Sequence, residues 1–60
     1  MKLSELLKLL TQNNIKLKRH GKEHDMYYSP ITDKSFPVPR HKKEIAEGTL
    51  NKILKDAGLK

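Results

Sequence analysis

The apolar residues of this chain change their spacing twice, and that restricts it to one class of fold. Leu3, Leu6, Leu7 and Leu10 recur at i, i+3, i+4 and i+7, which gives a helix one apolar face. From Ile15 the period drops to two. Ile15-Lys16-Leu17-Lys18-Arg19 alternates apolar and charged side chains, as a half-buried strand does. Leu50, Ile53, Leu54 and Ala57 then restore the helical spacing. A helix, a block of strands and a second helix follow from these periods alone.

Local residue chemistry places the breaks. The first helix is expected over roughly residues 3 to 13, with the Ser4 hydroxyl near its start to accept from free backbone N–H groups. Asn13-Asn14 suits its end, because Asn tolerates the left-handed conformation. His20-Gly21-Lys22-Glu23 reads as a turn in which Gly21 is free to take a positive φ. His24-Asp25-Met26-Tyr27-Tyr28 reads as a second strand, with its adjacent tyrosines on opposite faces. Ser29 to Lys34 is rich in turn formers, and Ser35-Phe36-Pro37-Val38 is a short third strand. Pro37 has no N–H to donate, so that strand is expected either to lie at an edge or to end early. Pro39 to Lys43 is a polar connection, and Ile45 packs where the chain enters the second helix. Gly48-Thr49 lies near that helix's start and Gly58 near its end.

The expected architecture is α+β, in the order α-β-β-β-α. It has a three-stranded antiparallel sheet with two helices on one face and a wet opposite face. The double-stranded RNA-binding domain has the same order, although fold likeness alone is weak testimony about function. At 60 residues the chain is expected to be one domain, residues 1–60, whose single small core leaves no volume for a deep ligand pocket. It contains no cysteine, which excludes disulfides and thiolate metal sites. Met1-Lys2-Leu3 leads directly into Ser4-Glu5 rather than into an apolar run, and no segment approaches a membrane span. A cytoplasmic protein is expected.

Thirteen Lys and Arg against seven Asp and Glu leave a net charge of +6, which points to nucleic acid as partner. The three histidines are His20, His24 and His41. Their spacing fits no common zinc motif, no acidic cluster suggests a magnesium nuclease, and no Gly-rich phosphate loop is present. No cofactor or metal is expected. His20 has the character of a solvated turn residue, and His41 lies in the basic run Arg40-His41-Lys42-Lys43. His24 stands where the turn meets the second strand, within six residues of Lys18, Arg19 and Lys22. RNA cleavage is the reaction these parts can serve, because RNA carries its own nucleophile, the 2′-hydroxyl. An imidazole can move the proton, and cations can stabilise the charge that builds on the phosphate. A fully solvated basic face is the simpler alternative for both cation clusters.

The stretch from Val38-Pro39-Arg40-His41 through Ile45-Ala46-Glu47-Gly48-Thr49-Leu50-Asn51-Lys52-Ile53-Leu54-Lys55-Asp56-Ala57-Gly58-Leu59 resembles the C-terminal half of HicA toxins. Those proteins carry V-P-x-H and then I-x-x-G-T-L-x-x-I-L-x-x-A-G-L. Ser4 to Leu10 is similar to the family's first helix, and Arg19 to Tyr27 to its catalytic turn and strand. The resemblance implies a metal-independent endoribonuclease that cuts mRNA as the toxin of a toxin–antitoxin pair. It also implies a HicB-like antitoxin as protein partner. It makes His24 the catalytic residue; the two basic clusters read from the sequence, Lys18, Arg19 and Lys22 and then Arg40, His41, Lys42 and Lys43, are the candidates for binding RNA. The family's usual Gly-Ser before the histidine is replaced here by Lys22-Glu23, which makes Lys22 the candidate for the missing phosphate contact. A non-catalytic RNA-binding module of the same fold, and a small protein that binds an acidic partner, are the alternatives.

Overall fold

The computed structural model describes residues 1–60 and has the expected α-β-β-β-α order. Helices α1 (Leu3–Gln12) and α2 (Glu47–Ala57) enclose strands β1 (Lys16–Arg19), β2 (His24–Ser29) and β3 (Lys34–Pro39) in sequence. The strands form an antiparallel sheet in the order β1-β2-β3, so β2 is central and the proline-bearing β3 is an edge. No helix is long and apolar enough to cross a membrane.

One apolar cluster joins all the layers. It contains Leu6 and Leu10 of α1, Phe36 and Val38 of β3, and Ile53 and Ala57 of α2, closed by Ile15 and Ile45 from the connections. Burying a side chain such as Phe36 contributes about 1.5–3 kcal/mol. The sheet register decides what faces this cluster. Phe36 pairs with Tyr27 and Val38 with Asp25, so these four share the helix-facing side. His24, Met26 and Tyr28 pair with Pro39, Pro37 and Ser35 on the open side. The two tyrosines do part to opposite faces: Tyr27 packs on the core and Tyr28 is exposed.

β1 departs from the half-buried strand its alternation suggests. All four of its residues are exposed, and Leu17 keeps 40% of its surface in solvent. The reason is placement: α2 packs over β3 and β2, and β1 lies at the far edge. Only Ile15, just before the strand, reaches the core.

The helix ends show how distant segments are tied. Ser4 does not cap α1 and already lies inside it; Lys2 is the capping position and makes no side-chain bond. The backbone does that work instead. Leu3 N–H donates to the Lys43 carbonyl at 2.8 Å, and Ile45 N–H donates to the Met1 carbonyl at 2.9 Å. Asn14 takes the left-handed conformation after α1, at φ 61°. Gly58 does so after α2, at φ 82°, where a β-carbon would also stand 2.6 Å from Ile31 Cγ2. The last carbonyls of α2 are satisfied by the end of β2 and the loop after it: Ser29 Oγ donates to Ala57 O at 2.6 Å and Thr32 Oγ1 to Asp56 O at 2.5 Å. These bonds set α2 antiparallel to β3, so the Thr49 end of α2 lies toward Pro39 and His24.

Candidate active site and basic face

The site begins at the turn that delivers the chain to His24. Gly21 has no positive φ; the left-handed glycine of this chain is Gly58. The turn needs glycine for room, because a β-carbon on Gly21 would collide with the backbone carbonyl oxygen of His24. Arg40 holds the turn from outside. Its backbone N–H donates to Glu23 O at 3.1 Å, and its Nη1 donates to Gly21 O at 2.9 Å.

Asp25 organises the same turn from within, and sequence reasoning passed it over. Its Oδ1 lies 3.2 Å from His20 Nδ1, accepts from Gly21 N–H at 3.4 Å and lies 3.9 Å from Arg40 Nη1. The signal was present in the sequence: Asp25 is one of the two carboxylates that flank a candidate catalytic histidine, and strand alternation turns it to the other face. His20, expected to be merely solvated, is Asp25's partner while its own side chain stays 65% exposed. His24 is thus held through its neighbours, and its own ring is exposed and makes no protein hydrogen bond.

The open face of the sheet carries cations, with Arg19 toward the His24 end and Lys16 and Lys18 toward the Tyr28–Ser35 end. A bulge between Leu17 and Arg19 breaks strict alternation in β1. Arg19 therefore pairs with Met26 on the open face, and Lys18, which donates from Nζ to Ser35 Oγ at 3.2 Å, also reaches across that face. Lys16, paired with Tyr28, joins them. Lys22 is exposed in the turn and has no protein partner. The second basic run is divided. Arg40 belongs to the His24 turn, whereas Lys42 and Lys43 line a separate cleft of about 570 Å³ against Lys2, Leu3, Ser4 and Leu7 of the α1 end. His41 is exposed between these two groups.

A smaller cleft, about 220 Å³, is the one that contains His24. Pro37 and Pro39 of β3 form one wall, Thr49, Lys52 and Asp56 of α2 form the other, and Phe36 and Ile53 close the floor. Thr49, Lys52 and Asp56 follow helical spacing, so one polar stripe of α2 borders the cleft beside the apolar stripe that enters the core. The larger cleft carries no histidine, and its size does not make it the reactive one. Nothing in the sequence marked Thr49, Lys52 or Asp56, because their relation to His24 exists only once α2 has folded back along β3.

No three His, Cys, Asp or Glu side chains stand together to hold a metal ion. Burial and then the Asp25 charge raise the pKa of Tyr27; that of Tyr28 is raised first by its hydrogen bond to Asp33. The site thus offers an accessible imidazole in a cleft, with Lys52 in the cleft wall and Lys22 exposed in the turn that leads to the histidine.

No curated protein and no solved structure matches this chain. The family model described as the HicA toxin of bacterial toxin–antitoxin systems matches residues 3–59. With nearly the whole fold inside that match, the chain belongs to the HicA family and is a toxin of the toxin–antitoxin type.

Proposed function

We propose that this toxin is an endoribonuclease that cuts mRNA in the cytoplasm without a metal ion, with His24 as the proton-transfer group. The observation that carries the reading is His24 itself: exposed, set in a cleft and adjoining an open face that bears Lys16, Lys18 and Arg19. The substrate's 2′-oxygen attacks the neighbouring phosphorus, and the bond to the 5′-oxygen of the next nucleotide breaks. As neutral imidazole, His24 takes the 2′-hydroxyl proton; as imidazolium, it protonates the departing 5′-oxygen. Such help is worth about 10²–10⁴-fold in rate. Arg19 and Lys22, toward the His24 end, bind the reacting phosphate and stabilise the charge that develops there, and Lys18 binds a flanking phosphate. Lys42, Lys43 and His41 extend the contact surface beyond the cleft, and Arg40 acts chiefly by shaping the turn. A HicB-like antitoxin neutralises the toxin by covering the basic face, so His24 is buried in that complex.

The test incubates RNA with purified protein and a His24→Ala variant, with EDTA present. Cleavage by wild type alone is expected, at a rate about 10²–10⁴-fold above the variant. Both proteins bind RNA, and affinity falls steeply with salt. Intact RNA with wild type, or equal cleavage by both proteins, overturns the reading; bound but uncut RNA would instead indicate a binding module.

A further inference from the structure

We propose that the α2 wall of the His24 cleft is a base-recognition subsite that seats a guanine beside the cut phosphate. The inference rests on the ribonuclease reading and goes beyond it, because it says where the toxin cuts.

Lys52 and Asp56 are one helical turn apart on the same wall. Each is the other's nearest candidate partner along the helix, yet they form no ion pair. The ion pairs in this protein are Met1 with Glu44 and Arg40 with Asp25, and His20 joins Asp25 through a hydrogen bond. A donor and an acceptor therefore stand side by side with both functions free. Asp56 is also badly placed for helix stability. It lies in the last turn of α2, where the helix dipole favours cations, so its charge is costly there and calls for another use. A carboxylate in an RNA cleft repels phosphate as well, so its natural contact is a base.

The pairing edge of guanine fits these two groups. It presents the O6 acceptor and then two N–H donors, at N1 and at the exocyclic N2. The Lys52 ammonium donates to O6, and the Asp56 carboxylate accepts from the two N–H groups. Adenine and cytosine place a ring-nitrogen acceptor against the carboxylate, and uracil places a carbonyl there. Single-stranded RNA is read on this edge by unstacked bases. The cleft's volume, about 220 Å³, has room for one base, with the Pro37 and Pro39 rings against its face. The antiparallel run of α2 puts Thr49 at the His24 end of the wall and Asp56 at the far end. The phosphate of the seated nucleotide then lies toward His24 and Thr49.

The experiment maps the cut sites of wild type, Asp56→Asn, Lys52→Ala and Lys52→Arg on an RNA of mixed sequence with EDTA present. It repeats the rates on one substrate in which the flanking guanine is replaced by inosine, which lacks the N2 amino group. Wild type is expected to cut next to guanine and to slow several-fold on the inosine substrate. Asp56→Asn is expected to cut with that preference flattened and to treat guanine and inosine alike. Lys52→Ala loses rate at guanine sites, and Lys52→Arg recovers it. Circular dichroism checks that each variant is folded, and both positions lie outside the core. If wild type cuts without regard to guanine, or Asp56→Asn keeps the wild-type spectrum and the inosine penalty, this inference fails while the ribonuclease stands. If wild type does not cut RNA, both fail.

Discussion

At its C-terminal end β2 finishes in Ser29, which is fully buried; its hydroxyl donates to Ala57 O at 2.6 Å and accepts from Ile31 N–H at 3.2 Å. At the other end β2 starts in His24, whose ring is exposed and whose position is set by contacts its neighbours make. One end is fixed by short bonds out of water, to the end of a helix. The other is fixed by longer, solvated, charged contacts around Asp25. The contrast shows how so small a chain separates two demands. β2 is anchored where it meets the end of α2, and the side chain proposed to react makes no hydrogen bond within the protein.

Substitutions at the two ends should therefore separate stability from activity. The largest effect on folding is expected for Ser29→Ala, which leaves the buried Ala57 carbonyl without its partner. A loss of about 1–3 kcal/mol is expected in urea unfolding, with cleavage per folded molecule unchanged. A parallel fall in activity would show that the two ends are not independent. Asp25→Asn should do the reverse. Its partners are exposed, so screening holds the stability loss below about 1 kcal/mol. The turn that carries His24 loosens, and cleavage falls several-fold. Unchanged cleavage would remove Asp25 from the account of the site.

The smallest effect lies on the outer side of the Ser29 end. Tyr28 donates its hydroxyl to Asp33, and this bond, with the Asp33 charge, holds the phenol above its ordinary value of 10.0. A group raised on folding contributes stability that is complete below its unfolded value and is lost as pH rises through its folded value. Stability should thus fall as pH rises above about 10, and Tyr28→Phe should make that fall shallower. Tyr27, raised mainly by burial, keeps part of the slope. An identical slope in the variant would mean the Asp33 contact is absent in solution.

The elements were legible because each is written in neighbouring residues. The Leu3–Leu10 stripe, the Asn13-Asn14 stop and Gly58 all act locally, and the chain folds as they direct; the alternation from Ile15 gives a strand, but an exposed one. Two further local readings were corrected by partners from elsewhere. Ser4 gave way as a cap to the backbone pairing with Lys43 and Ile45, and Gly21 proved necessary for space rather than for its φ. The candidate site was only half legible. Its histidine and its basic surroundings are visible in the sequence. The bulge that brings Lys18 and Arg19 to one face is not, because a one-residue irregularity leaves no compositional trace. The wall formed by Thr49, Lys52 and Asp56 depends on how α2 returns along β3, and it looks in sequence like any solvated helix face.

The prolines of β3 have a consequence for how this toxin meets other proteins. Arg40 N–H points inward to Glu23 O, so the alternate residues Ser35, Pro37 and Pro39 turn their nitrogens away from β2. Two of those three outward positions carry no hydrogen. A foreign strand that approached this side would meet a ladder with missing rungs, which discourages templated pairing between copies. The remaining free edge is β1, four residues long and studded with Lys16, Lys18 and Arg19. Self-association there would bring like charges together, so any chain that does extend the sheet should be acidic and should add at β1.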